Sequence, residues 1–276
     1  MRLAAGLLLL GALALGAVAA PWVQAWLGHD PFTPDLFQRF GPSSAAYPLG
    51  TDELGRDVLL RLLFGARVSL TVGIAVALGA TGLGTLIGLA AAWRGGWLDA
   101  LLMRLADGLL SLPALPLLVV LAAVDTGRFG LPRGEAAADI ARITLILVLF
   151  GWVGVARLTR AAALTQLSLD YVAAARVAGA SEARVLWRHV LPNIAGPLSV
   201  ATALAVAGAI LAESTLSFLG LGIQPPAPSW GNMLSNAQEM VFSAPMGAVW
   251  PGLFILAAVA GCTLLADGLR QRRPGS

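Results

Sequence analysis

Glu213 is the ionisable residue most at odds with its surroundings in this 276-residue sequence, because it stands at the edge of a long apolar run. A charge so placed is a functional candidate by default. It could line a polar path and meet an ammonium group of a solute. The plainer reading, which the edge position favours, is a carboxylate satisfied by neighbouring helices. Asp107 has similar surroundings, but Arg104 three residues earlier offers an intrahelical partner. Nothing else is arranged for catalysis. The acids are scattered, His29 and His189 lie far apart, and Cys262 is the sole cysteine. Neither a paired-carboxylate, Ser-His-Asp or metal centre nor an internal disulfide is expected. All 18 basic residues are Arg. A phosphate-cradling Gly-x4-Gly-Lys loop requires Lys, so any ATP and Mg that drive this protein must bind another subunit, and the chain itself is expected to carry no cofactor.

Three segments carry more information. The first, Ser168 to Pro192, predicts two short helices with a turn at Gly179. Ser168 or Asp170 suits the cap of the first helix and Ser181 that of the second. Pro192 suits the first turn of a following helix. Ala173, Ala174, Ala175, Ala178, Gly179 and Ala180 give the loop a smooth surface, fit either for a partner's groove or for lying on a membrane. The second segment, Pro48 to Leu70, predicts a polar helix entering an apolar run. Thr51 or Asp52 would cap it, with local ion pairs among Arg56, Asp57 and Arg61. The third, Glu213 to Leu234, breaks its helix with glycines and prolines. Irregular backbone at membrane depth is tolerated only against protein or a water-filled cavity. That favours a re-entrant or pore-mouth segment.

These strings resemble a known family. Ala174-Ala175, Gly179 four residues on, and Leu191-Pro192 twelve residues after that glycine are similar to the EAA loop of ABC importer permeases. There the loop docks on the cytoplasmic ATPase. The resemblance implies coupling positions at Ala173, Ala174, Ala175, Arg176, Gly179, Ala180, Ser181, Leu191 and Pro192. Ala173 departs from the Glu usual in that family, so coupling would rest on Arg176 or Glu182. The Pro48 segment and the Leu216-Ser-Phe-Leu-Gly-Leu-Gly222 string with Pro225-Pro226 and Ser229-Trp-Gly231 resemble the second permease of dipeptide, oligopeptide and nickel systems. A translocation path near Glu213, Ser217, Gly220 and Gly222 is the corresponding expectation. Trp152 with Arg157 and Arg160, and Trp250-Pro-Gly with Asp267 to Arg270, resemble the same family, so the likeness runs from about Pro48 to Arg270. It implies a di- or oligopeptide importer subunit, with nickel or another small solute as the alternative cargo. The implied partners are a second homologous permease, two cytoplasmic ATP-binding subunits and an extracytoplasmic solute-binding protein. An ion-coupled secondary transporter is the rival of another class. It would need buried acidic relays inside its spans, for which only Glu213 and Asp107 are candidates.

The elements that must position these segments are apolar helices. Hydrophobic residues make up 58% of the chain and charged residues 12%, half the roughly 25% of soluble domains. A basic balance of +3 is better explained by Arg at helix ends than by nucleic acid. Uncharged runs predict six spans at Leu3–Ala20, Val68–Trp93, Gly108–Val124, Ile143–Ala156, Val190–Ala212 and Met240–Ala266. The third carries Pro113 and Pro116 and should be kinked or interrupted. The fourth is short unless it continues through Arg157 and Arg160. Arg2 and Ala17-Val18-Ala19 are also signal-peptide-like, but the run reaches Pro21 and favours a retained anchor. Eleven arginines fall on the side of the N-terminus and seven on the other, which favours both termini in the cytoplasm. Boundary tryptophans (Trp22, Trp26, Trp93, Trp97, Trp250) suit an interfacial belt in the bacterial inner membrane. The sequence is therefore expected to give an all-α integral membrane protein with the six-span type I importer permease fold: residues 1–66 an anchor and polar segment, 67–276 a five-helix core containing the coupling loop at about 168–192.

Overall fold

A computed structural model describes residues 1–124, 133–235 and 244–271. The first helix, α1 (Arg2–Leu27), ends at Gly28 in the left-handed conformation. A polar segment follows, and α2 (Val58–Arg94) then runs 37 residues, ~55 Å at 1.5 Å per residue. That exceeds a bilayer core, so α2 projects beyond it, and it passes unbroken through the expected boundary at 66/67. Gly95 and Gly96, both at positive φ, turn the chain into α3 (Gly96–Ser111) and α4 (Ala114–Ala123). Next come α5 (Ala136–Leu167), α6 (Asp170–Val177), α7 (Glu182–Phe218) and α8 (Pro245–Gln271).

Five of these helices are long and apolar enough to cross a membrane, and the bent pair α3/α4 makes up to six. The interruption expected near Pro113 is present. Leu112 is extended, as the residue before a proline must be, and the two halves meet at 89°. The fourth span also continues as expected, through Arg157 and Arg160 to Leu167. The start of the last expected span, Met240 to Ser243, lies outside the described residues.

Packing follows small residues. Gly84 and Gly88 on α2 face α5 so closely that a Cβ would stand 2.6 Å from the Trp152 carbonyl oxygen and 2.5 Å from that of Ala156. Helices without a strong hydrophobic drive between them gain from such close approach. Antiparallel α1 and α8 do the same at Gly6, Gly261 and Gly268. Arg2 and Asp267 then pair at 3.0 Å, bringing the start of α1 and the last turns of α8 together on one side of the bundle. Asp107 pairs with Arg157 of α5 at 3.6 Å, not with Arg104 as the sequence suggested. The expected intrahelical pair gives way because α3 lies against α5, whose Arg160 also grips Asp99 with two hydrogen bonds. Several of the expected belt tryptophans are exposed: Trp22, Trp26, Trp93 and Trp97.

Candidate functional site

The hairpin after α5 is built by one glycine-directed termination and one serine cap. Helix α6 closes with Ala180 N–H donating to Ala175 O at 3.0 Å and Gly179 at φ 84°, the pattern in which a left-handed glycine satisfies the last carbonyls. Ser181 caps the next turn by accepting from Arg184 N–H at 3.4 Å. The cap expected from Ser168 or Asp170 is absent. Ser168 donates instead to Thr165 O, and Leu169 begins α6 without a side-chain bond. Pro192 stands in the first turn of the α-helical stretch Leu191–Phe218, as expected. The second short helix runs straight into α7 through a π-helical stretch, Val185–Val190. The wider turn makes room for the Pro192 ring, which lacks an N–H and would crowd the preceding turn. The His189 carbonyl there accepts from Asn193 Nδ2 at 2.6 Å and from the Tyr171 hydroxyl at 3.3 Å.

Val172, Val185, Leu186 and Val190 bury one face of the hairpin against Leu89, Ala92, Val155 and Ala163. The opposite face is open. Ala173, Ala174, Arg176, Gly179 and Ser181 are exposed there, as is Pro192, while Ala175 and Ala180 are half-buried and Leu191 packs toward the core. Val177 is 91% exposed at the tip. Arg176 donates to both oxygens of Glu182, at 2.9 and 3.0 Å.

At the other end of α7 the chain continues beyond Ala212 to Phe218, so Glu213 lies inside the helix and is fully buried. Its carboxylate accepts from Ser69 at 3.0 Å and Ser217 at 2.7 Å, with Ser214 at 3.5 Å. Gly220, at φ 73°, ends the helix while Leu221 N–H returns to Leu216 O. Gly222 sits so near Ser217 that a Cβ would meet its hydroxyl at 2.1 Å. Glu213, Ser217, Gly220 and Gly222 are thus brought together, around a carboxylate enclosed by this chain. The segment that follows folds back on the bundle. Ile223 N–H donates to Ser217 Oγ, Trp230 N–H to Ser69 Oγ, and Trp230 Nε1 to Leu62 O. Gly231 lies against the backbone of Ser214. Asn232 ties the turn internally through Ala227 O and Ile223 O.

The polar segment before α2 packs beside this loop. Asp57 caps α2 by accepting from Leu60 N–H at 2.9 Å, displacing the expected caps Thr51 and Asp52. Burial pushes the Asp57 carboxyl above the usual carboxylate range. The local ion pairs exist with other partners. Asp52 holds Arg56 at 2.8 Å and Arg61 at 3.3 Å, and Glu53 holds Arg56 at 3.3 Å. Asp52 is free to do so because a tight turn at Gly50 and Gly55, both at positive φ, folds residues 51–57 into one bridge.

Residues 84–272 match the family described as "Binding-protein-dependent transport system inner membrane component". The chain belongs to that family. This permease is 39% identical over 267 residues to a "Putative peptide transport system permease protein" of Brucella suis, covering 96% of this chain and 85% of the relative. It is 40% identical over 271 residues to the "Di/tripeptide transport system permease protein DppC" of Pseudomonas aeruginosa, with the same coverage. It is 34% identical over 266 residues to the "Oligopeptide transport system permease protein OppC" of Bacillus subtilis, covering 96% and 83%. It is an all-helical inner-membrane transport subunit.

Two buried charges of the permease escaped the sequence reading. Asp139 and Arg142 on α5 are 0% and 2% exposed and pair at 2.9 Å. Arg142 donates to Gly222 O at 3.1 Å, and Asp139 accepts from Gln224 N–H at 3.1 Å. The sequence does carry a signal for them, an acid and a base three residues apart at the start of an apolar run.

Proposed function

We propose that this permease moves di- and oligopeptides inward as one half of the translocation path of an ATP-driven importer. The other half is a second, homologous permease. Two cytoplasmic ATP-binding subunits hold the ATP and Mg and do the hydrolysis, and an extracytoplasmic binding protein delivers the solute. Both termini and the Gly179 hairpin face the cytoplasm.

The observation that carries the reading is the hairpin at Gly179. One face is anchored in the bundle by Val172, Val185 and Val190, and the other presents small side chains with Val177 at its tip. A knob of that kind transmits displacement because its anchored face leaves no slack between the docked partner and α5 and α7. ATP-driven closure of the partner subunits would push on it and tilt those helices, switching access from one side to the other. Peptide as cargo is supported by the names of the relatives matched along 96% of the chain. Uptake of a labelled dipeptide, a labelled tripeptide and Ni²⁺ by cells with and without this chain tests the cargo. Loss of peptide uptake alone is expected. Loss of Ni²⁺ uptake alone would move the cargo to the metal.

A further inference from the structure

We infer that Glu213 is a positioning residue that fixes the loop after α7 to the bundle by setting the direction of two hydroxyl groups. The inference goes beyond the transport reading, and it stands on bonds within this chain whatever the cargo. A backbone N–H can only donate, so Ser69 Oγ must accept from Trp230 and Ser217 Oγ from Ile223. Each serine hydroxyl has one hydrogen to give. Both hydrogens point at Glu213, on different carboxylate oxygens. The Glu213 side chain takes one of these hydrogens on each of its oxygens. It therefore holds both serines with their lone pairs turned outward to the loop, one from α2 and one from α7.

The far side of the same loop is gripped from α5. Arg142 donates to Gly222 O and Asp139 accepts from Gln224 N–H. Shape reinforces the bonds. Gly222 and Gly231 touch Ser217 and Ser214 too closely for any side chain, and the fully buried Trp230 plugs the space between Leu62, Met233 and Phe254. Segment 219–232 is thus bonded to α2, α5 and α7 together. It acts as a fixed cap that travels with those helices, not as a flap that swings from them.

The test is amide hydrogen exchange on the assembled complex, isolated from membranes through a tag on this chain. It is run without nucleotide and with a non-hydrolysable ATP analogue. In the unaltered protein, the Ile223 and Trp230 amides should be protected in both states. Ser217→Ala should speed Ile223 alone and Ser69→Ala should speed Trp230 alone. Glu213→Leu should speed both, by about tenfold, the size expected when a buried hydrogen bond is lost. Peptides spanning the Gly84–Ala156 contact should stay unchanged, which a general loss of stability would not allow. If Glu213→Leu does not assemble, the two serine variants decide the matter, since equal effects on both amides would overturn the relay. Loss of protection across 219–232 on adding the analogue to the unaltered complex would overturn the fixed cap.

Discussion

Arg176 and Glu182 close the hairpin across Gly179 with two hydrogen bonds between one guanidinium and one carboxylate. The sequence had offered these residues as replacements for the Glu missing at position 173. Each binds the other across the turn, with Val177 exposed at the tip between them. Both side chains are more than 40% exposed, and solvent holds such pairs to about 0.2–1 kcal/mol. Arg176→Ala and Glu182→Ala should each weaken co-purification of the ATP-binding partner slightly, and the double variant should be no worse than either single one. Strictly additive losses in that cycle would mean that each charge contacts the partner separately.

Gly179 has φ 84°, and a Cβ there would meet no atom within 4 Å. The cost of a side chain is therefore conformational, ~1–2 kcal/mol for a left-handed residue. Gly179→Val should reduce co-purification of the ATP-binding partner while membrane insertion persists. Gly179→Asn, which tolerates that region, should retain most of it. Equal retention in both variants would remove this turn from coupling.

Gly84→Ala and Gly88→Ala place a methyl group 2.5–2.6 Å from carbonyl oxygens of α5. Overpacking of this kind costs ~1–3 kcal/mol. Each variant should lower the thermal unfolding temperature in detergent. Gly82→Ala, on the same helix with open space around it, should raise it slightly through helix propensity.

Orientation is best read at residues that a reagent can reach. Ser229 would be the natural outer marker from the sequence, yet it is fully buried in the loop. Phe37 is fully exposed in the polar segment before α2, and Ser181 is exposed in the hairpin. On a Cys262→Ser background, Phe37→Cys should react with an impermeant maleimide in intact spheroplasts, and Ser181→Cys only after permeabilisation. The reverse pattern would invert the topology.

The sequence by itself determined the class of molecule and the places where its helices fail. Apolar run length is a local property, and so is the effect of Pro113 on Leu112. Both could be read without knowing any neighbour. Gly179 and Gly220 were legible for the same reason, since ending a helix in a left-handed residue needs only the few residues around it. Tertiary structure decided the partners of the charges. Asp107 chose Arg157 over Arg104, Asp52 gathered Arg56 and Arg61, and Asp139 with Arg142 took hold of a loop some 80 residues away. An ion pair depends on which helices become adjacent and at what rotation, and hydropathy leaves both free. Glu213 shows the division most clearly. Its sequence position marked it as a costly charge, but only the convergence of Ser69 from α2 with Ser217 from α7 gave the carboxylate its hydrogen bonds, because two of the groups that must meet there are 144 residues apart.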